Sequence, residues 1–163
     1  MTFEQHLATN RRYRLKPRAT FNPAYADEML TELQANLEIV IRWINGKTDR
    51  PAMKQALDFF GTRYSAHGRK VYRGTKDLVF DGMPASYTKK LEVAEGFAIA
   101  EAEKGSGGRK PFFVIDRKAP AKSLDFSKLL KAYATGRIPR SDEAEVVLLS
   151  TPVRNSSITE YTV

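Results

Sequence analysis

Between residues 22 and 61 the apolar residues recur at every third or fourth position, and after residue 68 that period gives way to short β-branched and aromatic runs. Helices first and strands later exclude a regular βαβ alternation and predict an α+β fold. Leu30, Leu33, Leu37, Val40, Ile41 and Ile44 form one apolar stripe, opened by Asn22-Pro23 and closed by Gly46. An Asn cap, a proline in the first turn and a terminal glycine are helix punctuation, so an amphipathic helix of about six turns is expected here. Asp49-Arg50-Pro51 opens a second helix, with Met53, Ala56, Leu57 and Phe60 on one face and Gly61 at its end. These stripes read as core.

Strands follow. Lys70–Thr75 and Leu78–Phe80 read as short strands, the second ended by Asp81-Gly82. Ser86 or Thr88 can cap a helix running to about Lys104, with Leu91, Ala94, Phe97 and Ala98 facing inward. Gly105–Gly108 is a loop, Pro111–Ile115 a strand, and Ser123-Leu124-Asp125 leads into a short helix to about Tyr133. After a loop from Gly136 to Ser141, strands are expected at Glu143–Leu149 and Ser157–Val163. A single domain over residues 1–163 is expected, with residues 1–20 a basic arm in which Arg11, Arg12, Arg14, Lys16 and Arg18 surround Tyr13.

Composition narrows the chemistry. The chain has no cysteine, which removes disulfides, thiolate zinc sites and Cys nucleophiles and fits a reducing compartment. Its two histidines, His6 and His67, are far apart, which argues against a His-based metal centre or a Ser-His-Asp triad. No run of 18 apolar residues occurs, and MTFEQHLATNRR lacks the apolar core of a secretory signal. The expectation is a cytoplasmic protein without a membrane partner. A net charge of +8 favours an anionic partner such as nucleic acid, an acidic protein or a phosphorylated small molecule.

Three places can carry chemistry. Arg73 at a strand end, followed by Gly74, can present a guanidinium fork to a phosphate while the glycine backbone approaches a ligand. Such an arginine can equally make a surface salt bridge. Ser86 and Thr88 lie two residues apart, which puts both hydroxyls on one side of an extended segment, unless they serve only as a helix cap. Glu143 and Glu145 flank one residue at the start of a strand, so their side chains are expected to share a face, roughly 7 Å apart. Two like charges placed together oppose folding unless something cationic sits between them. The pair is either a solvated strand end or a site that handles a developing cation.

In this order and spacing, a strand arginine, a Ser-x-Thr segment leading into a helix, and a late Glu-x-Glu strand resemble the Arg–Ser–Glu class of mono-ADP-ribosyltransferases. This NAD-consuming family includes clostridial binary toxins and small phage-encoded transferases. The resemblance covers about residues 22–163, with its motifs confined to 71–75, 86–98 and 141–149. Phe97 matches an aromatic that follows the family's hydroxyl motif by eleven residues, and Thr135–Asp142 fits the loop before the catalytic glutamates. The central motif reads Ser86-Tyr87-Thr88 where the family often has Ser-Thr-Ser, and the chain is short for the family.

The resemblance implies two small, mainly antiparallel sheets around an NAD cleft, with helices on the N-terminal side and no metal. It implies that Arg73 holds the NAD+ phosphates and that Gly74 offers its backbone to the nicotinamide carboxamide. Ser86 would hydrogen-bond the catalytic glutamate and the nicotinamide ribose, supported by Thr88, and Phe97 would pack on the nicotinamide ring. Glu145 would bind the ribose and stabilise positive charge as nicotinamide leaves, while Glu143 orients the nucleophile. In the family Glu-x-Glu marks arginine-directed enzymes, so the implied acceptor is an arginine of a target protein, such as a host nucleic-acid-binding, transcription or translation protein. RNA or DNA contact through the basic arm, a monomeric state and a host-cytoplasmic location for a phage-encoded enzyme belong to the same expectation. Two rivals stand beside it: an NAD glycohydrolase using the same site with water, and a non-enzymatic basic module that binds nucleic acid.

Overall fold

A computed structural model describes residues 23–103, 111–132 and 144–162. The basic arm 1–20, the loops 105–108 and 135–142, and Glu143 lie outside the described residues. Helix α1 spans Pro23–Ile44 and α2 spans Arg50–Phe60. Lys47 N–H donates to Arg42 O and Gly46 N–H to Trp43 O, closing α1 with Gly46 at a φ of +85°. This paired closure needs the left-handed conformation glycine adopts without strain. Asp49 caps α2 by accepting from Ala52 N–H at 3.1 Å.

Strands β1 (Lys70–Thr75), β2 (Pro84–Thr88), β3 (Pro111–Lys118), β4 (Ser123–Asp125), β5 (Glu145–Leu149) and β6 (Ile158–Thr162) are joined by α3 (Leu91–Glu103) after β2 and α4 (Phe126–Ala132) after β4. The fold is α+β, as the periodicities predict, but the strands form one open antiparallel sheet, in the order β4-β5-β2-β1-β3-β6. This corrects the expectation of two separate sheets. β1 pairs β3 from Lys70↔Lys118 to Thr75↔Phe113, and β2 pairs β5 from Pro84↔Leu149 to Thr88↔Glu145. β1 and β2 meet only at Tyr72↔Thr88 and diverge beyond it.

On one face of the β4-β5-β2 half, Leu37, Val40 and Trp43 of α1 pack with Met53, Leu57 and Phe60 of α2 and with Leu124, Leu129 and Val147. On the β1-β3 half, α3 lays Ala94 and Ala98 over Phe112, Val114 and Tyr72. The opposite face buries Val71, Ala85, Tyr87, Ile115, Val146 and Leu148 in a separate cluster. Val146 and Val147 fall in different clusters because successive strand side chains point to opposite faces.

Two local expectations change. Residues 78–80 form no strand, and Leu78 and Val79 are exposed. Thr75 Oγ1 accepts from Asp77 N–H at 3.2 Å, turning the chain at the end of β1, and Ser150 Oγ donates to Val79 O. The segment is held by this side-chain bond rather than by a strand ladder. On α3, Ala94 and Ala98 are buried as expected, whereas Leu91 and Phe97 are 40% and 48% exposed. Only small side chains fit the side of α3 that meets the sheet, because helix and strand backbones approach closely at Gly74. A Cβ there would lie 1.9 Å from Ala94 O and 2.8 Å from Ala98 N.

Candidate functional site

The divergence of β1 and β2 opens a cleft of about 420 Å³. Its lining includes Arg73 and Gly74 from β1, Ser86 and Thr88 from β2, Phe97 from α3 and Glu145 from β5. The fold therefore gathers six of the seven residues singled out in the sequence; the seventh, Glu143, lies outside the described residues. Tyr72 and Glu101 also line the cleft, and the sequence reading had not selected either for the site.

Ser86 and Thr88 belong to β2, so neither is the cap residue of α3. Thr88 Oγ1 instead accepts from Lys90 N–H at 3.1 Å, shaping the turn into that helix. Ser86 Oγ donates to Glu145 Oε2 at 3.0 Å. Trp43 Nε1 lies 3.0 Å from Ser86 Oγ and 2.9 Å from Glu145 Oε2, donating to both. Trp43 was missed although it continues the α1 stripe three residues after Val40. The signal that could have found it is chemical: an indole N–H at a core-spaced position needs an acceptor.

Arg73 reaches across the gap and donates from Nη1 to Ser86 O at 2.9 Å. Burial lowers its pKa from the ordinary value; the Tyr87 phenol, Asp81 and Glu101 oppose that shift, and Arg50 adds to it. A guanidinium remains cationic under such a shift. The resulting cleft carries a cation on the β1 side and a carboxylate on the β5 side, with a half-exposed aromatic ring from α3. Pockets of roughly 300–1,000 Å³ with a few convergent polar groups suit small-molecule ligands. Tyr87 points to the other face, 2% exposed, where burial raises its phenol pKa against the opposing Arg117 and Arg73 cations.

The start of β5 departs from expectation. The strand begins at Glu145 rather than Glu143, and Ala144 has a φ of +51°. A left-handed residue breaks the two-residue alternation, so a shared face for Glu143 and Glu145 does not follow from strand geometry. Lys89 N–H donates to Ala144 O at 3.2 Å and helps hold this kink beside the cleft. The Lys89 ammonium reaches Asp125 at 3.0 and 3.2 Å, tying the end of β2 to β4 and α4.

Among the described residues no group of three or more His, Asp or Glu side chains is placed to hold a metal, and no helix is long and apolar enough to cross a membrane. No protein-family model, curated protein or solved structure matches the chain.

Proposed function

We propose that the protein is a mono-ADP-ribosyltransferase that moves ADP-ribose from NAD+ to an arginine of a target protein and releases nicotinamide. The observation that carries this reading is the Ser86–Glu145 hydrogen bond inside a cleft that Arg73, Gly74, Thr88 and Phe97 also line. Positive charge grows on the ribose C1′ as the bond to nicotinamide breaks, with the bonding electrons leaving on the ring nitrogen. A carboxylate held in place before that charge appears stabilises the transition state more than the ground state. Arg73 supplies the cation for the phosphates, and Phe97 offers a ring face to the nicotinamide. Glu143 is assigned the acceptor: it orients a guanidinium whose nitrogen bonds to C1′ and then loses a proton. The family comparison of Glu-x-Glu with Gln-x-Glu supports arginine as that acceptor, and a carboxylate pairs with guanidinium better than an amide does.

The test gives the purified protein NAD+ labelled on the adenine side and a cell lysate as acceptor, with and without RNase treatment. Wild type is expected to transfer label to protein, and Glu145→Gln to lower nicotinamide release by about 10²- to 10³-fold. Nicotinamide release without transfer would favour the glycohydrolase, and RNase-sensitive transfer would point to an RNA acceptor or adaptor. Neither transfer nor release would overturn the enzyme reading in favour of the basic module, whose nucleic-acid binding would be salt-sensitive and indifferent to Glu145→Gln.

A further inference from the structure

We infer that Trp43 is a positioning residue for Glu145, through which helix α1 sets the orientation and ionisation of the carboxylate; the catalytic meaning of this rests on the transferase reading, the hydrogen bonding does not. Three polar atoms from three elements form a closed triangle. Trp43 Nε1 is 3.0 Å from Ser86 Oγ and 2.9 Å from Glu145 Oε2, and Ser86 Oγ is 3.0 Å from the same carboxylate oxygen.

Donor inventory fixes the proton directions. An indole N–H can only donate, so Ser86 Oγ accepts from Trp43 and its single proton is directed at Glu145. Trp43 therefore acts on the carboxylate twice, directly and by aiming the serine hydroxyl. Both donors converge on Oε2 and restrain the orientation of the group. Donors to a carboxylate favour its charged form, the form needed to stabilise a cation.

The scaffold behind the donor is closely packed. Trp43 is 7% exposed, within the cluster of Leu37, Val40, Leu57 and Phe60, and it lies in the last turn of α1, where the Gly46 closure fixes the helix end. Filling this core position needs a large apolar ring but no N–H. A phenylalanine would meet the packing need and leave the carboxylate one donor short.

Two measurements test the proposal. Steady-state NAD+ cleavage by Trp43→Phe is expected to show kcat reduced about 10- to 100-fold with KM within about 3-fold, and the acid limb of the kcat profile moved to higher pH. A merely structural loss would lower the amount of active protein without moving that limb. The second measurement needs neither activity nor a substitution at Trp43. Trp43 is the only tryptophan in the chain, so wild-type emission reports on this site alone. Titrated from pH 8 to pH 3, the emission is expected to show a step that disappears in Glu145→Gln. A wild type that cleaves no NAD+ but shows that step would sink the transferase reading and leave the positioning role standing. An active wild type with no such step, or a folded Trp43→Phe with unchanged kcat and pH profile, would overturn the positioning role and leave the transferase reading intact.

Discussion

The two halves of the sheet are built to different standards. The β4-β5-β2 half is backed by three helices whose Leu, Met, Phe and Trp side chains interlock, and Lys89 and Asp125 form a nearly buried ion pair, 12% and 3% exposed. Among the described residues, one helix, α3, covers the corresponding face of the β1-β3-β6 half; it faces the sheet with alanines and leaves Leu91, Phe97 and Ile99 exposed. The first half holds Ser86 and Glu145; the second holds Arg73 and Gly74 and borrows Phe97 from α3. On the proposed transferase reading, a group that must meet developing charge within a fraction of an ångström needs close packing behind it, whereas groups that grip the flat and charged ends of a ligand tolerate more play.

Breaking the better-packed half should have the larger effect. Asp125→Ala leaves the Lys89 ammonium buried with Ser127 Oγ as its remaining side-chain partner, and is expected to destabilise the fold by about 3–5 kcal/mol. Urea denaturation would measure this; a loss under about 1 kcal/mol would mean that water reaches Lys89 as readily as at the surface. Gly74→Ala attacks the other half. The added methyl would collide with backbone of α3, a contact that no side-chain rotation relieves, and a cost of about 1–3 kcal/mol is expected. Hydrogen exchange sharpens the point, because faster exchange should be confined to α3 and β1 if the halves are independent.

The smallest effect concerns the connection between the halves. Arg50 grips Asp81 with two bonds, of 2.6 and 2.7 Å, and its Nε donates to Pro84 O, so α2 holds the segment leading into β2. The Arg50 guanidinium, helped by Met83 N–H, lowers the Asp81 pKa to about 2. A carboxylate depressed in the folded state contributes its stability above the ordinary carboxylate range and loses it as pH falls toward the folded value. Arg50→Gln should therefore flatten the stability profile between about pH 4 and pH 2 while leaving the difference between pH 6 and pH 8 unchanged. Stability measured across that range, with wild type alongside, checks it.

Periodicity made most of the fold legible, for a reason visible in particular residues. The α2 stripe and its Asp49 and Gly61 ends are encoded within one segment, so the sequence contains the whole signal. The helix face of α3 was legible only in part: Ala94 and Ala98 turn inward as expected, whereas Leu91 and Phe97 do not, because the close approach at Gly74, distant in sequence, admits only small side chains. Leu78-Val79-Phe80 has strand composition but no partner, and pairing is a property of the sheet. The polar and aromatic residues singled out by type and order do line one cleft, Glu143 lying outside the described residues. Trp43 was not among them, because a residue that serves packing and hydrogen bonding at once is spaced like any other core residue.

A sheet whose halves share one backbone pair, one guanidinium bridge and, on the opposite face, one apolar cluster has a consequence for how its substitutions combine. Energetic effects add when the altered residues have no partner in common, and they interact when a network joins them. Changes behind β5 and changes beneath α3 should therefore combine by simple addition in the free protein. The exceptions should be pairs that include Arg73 or Ser86, where the two networks touch, or residues of the cluster of Val71, Tyr87, Ile115 and Val146 that both halves share. Variation could then be accepted on one bank of the cleft without prior adjustment of the other, and the residues at the crossing would be the ones that resist change.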